Sequence, residues 1–145
     1  MNLKGNIKIT IENVDTKKIE IVELHNVSCS AGMESLASRM VGAIKGEVTY
    51  FAVGTGTNAP NKTDVKLQTE IERKQISVRS ATGDTAYFRV FFNTTEANGT
   101  LKEIGLFGDD ASVTKDTGTL FARAAINKTK TTSETLTIDW SLKVE

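Results

Sequence analysis

Apolar and polar residues alternate most strictly at the two ends of the chain. Leu136, Ile138, Trp140, Leu142 and Val144 are interleaved with Thr135, Thr137, Asp139, Ser141 and Lys143. That is the period of two of a strand with one buried face. Residues 3 to 11 repeat it, with Ile7, Ile9 and Ile11 facing away from Lys8 and Thr10. The turn formers E-N-V-D-T-K-K then lead into residues 18 to 25, which complete a hairpin. There Ile19 and Ile21 share one face while Val22 and Leu24 share the other, predicting a strand buried on both sides or bulged near Val22.

From Ser30 to Ile44 the period changes: Met33, Leu36, Ala37, Met40, Val41 and Ile44 recur at the spacing of a helix face, with Ser30 as N-cap and Gly42 and Gly46 bracketing the end. Strands follow at 48 to 53, from Val78, and at 87 to 92, 101 to 107 and 120 to 126, separated by turns such as Thr82-Gly83-Asp84 and Asn98-Gly99. In Y-F-R-V-F-F, Tyr87, Arg89 and Phe91 face one way and Phe88, Val90 and Phe92 the other. Both faces are largely apolar, as in a central strand or one whose outer face meets another subunit. Gly105 predicts close backbone approach or a bulge. Residues 67 to 77 carry Glu70, Glu72, Arg73 and Lys74, and read as a solvated edge or loop with weak ion pairs, or as a subunit-facing polar rim.

About eight short strands with one helix after the second predict a mainly β protein. The expected architecture is an antiparallel β-sandwich, jelly-roll-like, with one inserted α-helix, formed as a single domain over residues 1–145. Trp140, Phe91 and Leu36 are its expected core residues.

Charge narrows the function classes. Eighteen Lys and Arg balance eighteen Asp and Glu, so no net field steers nucleic acid or an acidic membrane surface to this chain. Neither is expected as a partner. Cys29 is the sole cysteine, which rules out an internal disulfide and fits a reducing compartment.

Candidate chemistry is sparse. His25 and Cys29 lie four residues apart, a spacing that does not by itself make a nucleophile and base. The Gly-rich stretch 54 to 64 follows a strand but lacks the Gly-Lys-Ser/Thr of a phosphate loop. Asp109, Asp110 and Asp116 do not have the spacing of a calcium loop. No catalytic residue, metal or cofactor is therefore expected.

Four stretches taken together carry a resemblance. E-L-H-N-x-x-x-x-A-G-M at 23 to 33, Y-F-A-V-G-T-G-T-N-A-P at 50 to 60, E-A-N-G-T-L-K-E-I-G-L-F at 96 to 107, and L-F-A-R-A, I-N-K-T and T-L-T-I-D-W within 120 to 140 resemble small structural proteins and fibre-associated domains of tailed bacteriophage virions. The resemblance implies a non-enzymatic, β-rich part of a tail, fibre or baseplate assembly or of the capsid surface. It also implies assembly in the host cytoplasm, other virion proteins as partners and a homo-oligomeric state.

Within that expectation the two long loops are the candidate contact surfaces. They contribute Thr55, Thr57, Asn58 and Pro60 from one, and Asp109, Asp110 and Asp116 from the other. The alternative is a module that binds a host-surface carbohydrate, for which Tyr50, Tyr87 and Trp140 offer the amphipathic rings.

Overall fold

The alternating ends of the chain form one ladder. In the computed structural model, which describes residues 2–145, β1 (Leu3–Asn13) runs antiparallel to β10 (Glu134–Val144), with Ile7 opposite Trp140 and Ile9 opposite Ile138. On the other side of β1 lies β2 (Ile19–His25), and on the other side of β10 lies β7 (Thr85–Phe92), followed by β6 (Val78–Thr82). The second sheet has the order β3 (Val27–Ser28), β9 (Thr119–Lys130), β8 (Gly99–Gly108), β4 (Val48–Gly54), β5 (Glu70–Gln75). Each sheet has five strands, and every recorded pairing is antiparallel.

The inner faces share one core. Ile7, Ile9, Val90, Phe92, Ile138 and Trp140 of the first sheet meet Phe51, Val53, Ile104, Leu106 and Ala124 of the second. Trp140 is fully buried, its ring centroid 6.0 Å from that of Phe51, and its Nε1 donates to Asn26 Oδ1 at 3.0 Å. The fold is an antiparallel β-sandwich with one inserted helix, α1 (Ser30–Met40), which lies against β9. Close approach there depends on Gly32, since a Cβ at that position would sit 2.7 Å from the Cα of Phe121.

Several expectations are corrected. Phe91 is not a core residue: it is 45% exposed, because the register of β7 on β10 turns Phe88, Val90 and Phe92 inward. A run apolar on both faces does not say which face is covered. Leu36 is only half-buried, packed at the margin of the core.

The helix stops at Met40 rather than Ile44. Gly42 adopts φ 95°, and its N–H bonds to the Arg39 carbonyl while that of Ala43 bonds to Ser38. Cys29, not Ser30, is the N-cap. The Ser30 N–H donates instead to the Lys62 carbonyl at 2.7 Å.

Two strands also differ from expectation. β2 is neither doubly buried nor bulged but a regular sheet edge, with Ile19 and Ile21 turned to solvent. Residues 70–75 form β5, an edge strand of the second sheet, but the Glu70–Arg73 pair within it is buried rather than solvated. The close approach at Gly105 holds, since a Cβ there would lie 3.0 Å from both Leu120 and Leu67.

Candidate functional site

Three buried cations fasten three loops to the second sheet. Arg123 projects from the outer face of β9, where its Nη2 bonds Glu103 Oε1 of β8 at 2.9 Å and Asn58 Oδ1 at 2.6 Å, and its Nη1 bonds Asp64 Oδ2 at 2.8 Å. Glu103 is fully buried. It also accepts the backbone N–H groups of Gly56 at 2.6 Å, Gln68 at 2.7 Å and Thr69 at 2.8 Å. The pair thus supplies the hydrogen bonds that the loop over 55–69 cannot make for itself. Gly56 allows this approach, for a Cβ there would lie 2.3 Å from Glu103 Oε2. Beneath the loop Leu67 closes a small apolar cluster with Cys29, Ala52, Phe107 and Leu120.

Arg73 repeats the device on β5. Its guanidinium lies over the Phe107 ring at 4.5 Å, pairs with Glu70 at 2.7 Å and donates to the carbonyls of Ser112 and Thr117, both at 3.0 Å. The loop after β8 is thereby held down. Lys130, at the end of β9, donates to Asn93 O at 2.9 Å and Asn98 Oδ1 at 2.8 Å, fixing the 93–98 turn. Burial pushes the Lys130 ammonium below its ordinary pKa, with Glu134, Glu72 and Glu96 opposing that shift.

The candidate contact residues divide accordingly. Thr57, Asn58, Asp110 and Asp116 are exposed, while Thr55 and Pro60 are half-buried. Asn58 faces Arg123 as well as solvent. Asp109 is occupied internally, accepting from Ser35 Oγ at 2.7 Å and Arg39 Nη2 at 2.8 Å, which ties the helix to the end of β8. Its burial favours the neutral acid, but the bonds from Ser35, Thr119 and Arg39 outweigh that and hold its pKa below the ordinary value. The three aspartates are not gathered at one point: Asp116 lies 4.0 Å from Lys66, away from the Asp109 pairs. Among the described residues no three His, Cys, Asp or Glu side chains form a metal-binding group.

A concavity lies at one end of the sandwich. It is an apolar groove of about 490 Å³, walled by Leu3, Leu142 and Phe88 of the first sheet, Val48 and Phe121 of the second and Leu36 of the helix. Arg39, Glu47 and Arg79 stand at its rim, and Arg79 pairs with Glu47 at 2.9 Å. The chain leaving the helix passes beside it. In that segment Met40, Val41 and Ile44 are 83%, 88% and 99% exposed. These three belonged to the predicted buried stripe. Val41 and Ile44 lie beyond the helix, which ends at Met40, before the last turn of that stripe.

Comparison with family models, with curated proteins and with solved structures returned no match.

His25 and Cys29 are not brought together. His25 lines a depression on the first sheet with Asn6, Ile7, Lys8, Glu23, Leu24, Asp139 and Ser141, and its Nδ1 lies 3.3 Å from the Gly5 carbonyl. Cys29 is buried in the cluster beneath the 55–69 loop. Burial, with a smaller contribution from the Asp64 charge, pushes its thiol up from 9.0 to about 12.

Two consequences follow for the thiol. Iodoacetamide at pH 8 is expected to leave the native protein unlabelled and to label it fully in urea, as mass spectrometry would show. Because the unfolded thiol loses its proton first, its contribution to stability is intact below pH 9 and declines as pH rises from 9 towards 12. Urea midpoints measured at pH 8 and pH 10 should therefore fall in that order, and rapid labelling of the native chain would contradict this burial.

The rings considered for carbohydrate binding are largely committed. Trp140 is in the core, Tyr50 lies beside the Arg73 guanidinium, and the Tyr87 hydroxyl donates to Asp139, which also accepts from Arg89 Nε at 2.6 Å.

Sequence reasoning missed Glu103, Arg123 and Lys130, and read Glu70 and Arg73 as solvated or subunit-facing. A signal was present for Arg123, a single charge in the otherwise apolar run L-F-A-R-A-A-I; Glu103 follows Lys102 in L-K-E-I-G-L-F and carries no such mark. Alternation places both on the outer face, and only the loop packed over that face makes it an interior.

Proposed function

We propose that this chain is a non-enzymatic structural component of a tailed-phage virion. It belongs to the tail, a fibre, the baseplate or the capsid surface, and acts through self-assembly and contacts with other virion proteins. One observation carries the reading: the apolar groove adjoins a segment whose Met40, Val41 and Ile44 are almost wholly exposed. An apolar knob beside an apolar hole is the surface expected where another protein docks. The clamped loops support the same reading, because a rigid surface loses little conformational freedom on association. The resemblance carried by the strand and loop motifs supplies the particle.

The test is incorporation into particles. Purified virions of the phage encoding this chain should contain it, and the Met40→Asp/Ile44→Asp variant should fold with an unchanged melting temperature yet be lost from the particles. Absence of the wild-type chain from particles, or undiminished incorporation of the variant, would overturn the proposal.

A further inference from the structure

The first sheet ends in β2, whose outer side pairs with no strand among the described residues. Asn13 N–H donates to the Lys18 carbonyl at 2.9 Å, and Glu20, Val22 and Leu24 lie opposite Ile11, Ile9 and Ile7. In an antiparallel ladder the bonded positions alternate. Glu20, Val22 and Leu24 therefore direct their N–H and C=O groups to β1, whereas Ile19, Ile21 and Glu23 direct theirs to the open side. The same residues present their side chains outward, Ile19 and Ile21 being 58% and 55% exposed.

Edge strands are ordinarily protected by proline, by a bulge, by brevity or by charged side chains, of which β2 carries Glu20 and Glu23. β2 has seven residues, no proline and no register shift. The other open edge of this sheet, β6, is shorter and reads V-R-S-A-T, with Val78 its one large exposed apolar side chain.

We infer that β2 pairs antiparallel with β2 of a second copy of this chain, about a two-fold axis at Glu20, joining the two five-stranded sheets edge to edge. Three registers keep both isoleucines within such a ladder, and side-chain complementarity selects one. An axis at Val22 sets Ile21 against Glu23 and Ile19 against His25. An axis at Ile21 pairs that residue with its own copy but sets Ile19 against Glu23. An axis at Glu20 sets Ile19 against Ile21 twice, matching apolar with apolar at both positions. The unfavourable element is Glu20 facing its own copy. Lys128 Nζ, 3.3 Å from Glu20 Oε2 in each copy, offsets it.

The inference rests on the self-assembly part of the proposed function and names one contact within it. A single seven-residue edge is smaller than a standard interface. The pairing is accordingly concentration-dependent.

Cross-linking reads the register directly. With the axis at Glu20, that residue and its copy form a non-hydrogen-bonded pair across the new seam, where Cα atoms approach to about 4.5 Å, within reach of a disulfide. The Glu20→Cys protein, mildly oxidised with copper phenanthroline, should run as a covalent dimer. Val22→Cys should not, and Cys29, being buried, should not compete. In light scattering from about 10 μM to 1 mM the wild-type chain should pass from monomer to dimer, and Ile21→Lys should raise the dissociation constant about tenfold.

Cross-linking through Val22→Cys in place of Glu20→Cys, a wild-type chain monomeric throughout, or a dimer indifferent to Ile21→Lys would each overturn the inference. A monomer still found in virions refutes only the pairing. A dimer absent from virions refutes only the virion role.

Discussion

Glu103→Ala is expected to destabilise the protein by roughly 3–5 kcal/mol, the effect of stripping a buried cation of its partner. Arg123 would keep Asp64 and Asn58 but lose the carboxylate beneath it, and three backbone donors of the 55–69 loop would lose their acceptor. For a chain of 145 residues this corresponds to a fall in melting temperature of about 10–15 °C. Hydrogen exchange gives the sharper readout. The amides of Gly56, Gln68 and Thr69 should be protected in the wild type and exchange rapidly in the variant, while those of β1 and β10 slow down exchange until global unfolding. Arg123→Ala should resemble Glu103→Ala, and the double variant should be less destabilised than the sum of the two, because both remove the same clamp. A Glu103→Ala protein within about 1 kcal/mol of the wild type, with the three amides still protected, would show that the loop is held by other means.

Trp140→Ala is expected to be of comparable size, about 3–5 kcal/mol, for a different reason. The substitution empties the centre of the sandwich beside Phe51 and leaves Asn26 Oδ1 without its indole donor. Trp140→Phe retains much of the ring and should cost about 1–2 kcal/mol, largely for the lost hydrogen bond and the smaller volume. Denaturant titrations followed by circular dichroism would measure both. In the wild type the sole tryptophan should emit at short wavelength and shift to the red in the same transition. An alanine variant as stable as the wild type would mean that the two sheets close over the gap.

Much of the architecture was legible because strands with one wet face write their period into the chain. The alternation around Ile7, Ile9 and Ile11 and around Leu136, Ile138 and Trp140 fixed which side of β1 and β10 is buried. The observed register sets those residues opposite one another. Antiparallel strands joined by Gly, Asn and Asp turns with one amphipathic interruption left a sandwich with a helix as the economical packing. Where a segment was apolar on both faces, as at Tyr87–Phe92, the pattern had no means of choosing. Phe91 was assigned to the core for that reason and lies on the solvent side.

The loops and their clamps were decided by tertiary structure alone. Charge in a strand reads as exposure unless a distant segment folds over it, and Glu103 meets Gly56, Gln68 and Thr69 only through long-range packing of the 55–69 loop. Likewise Glu70 and Arg73 read as a solvated pair, because three residues of spacing say nothing of Phe107 beneath them or of Ser112 and Thr117 beyond. The helix terminus shows the same division. Its apolar stripe was written through to Ile44, but Gly42 at positive φ ends the helix early, within a turn closed by backbone bonds to Ser38 and Arg39. By itself the sequence determined which faces of its regular elements could be buried, since that depends on local period. Which charged groups became interior, and which apolar ones were left outside, depended on contacts between residues far apart in the chain.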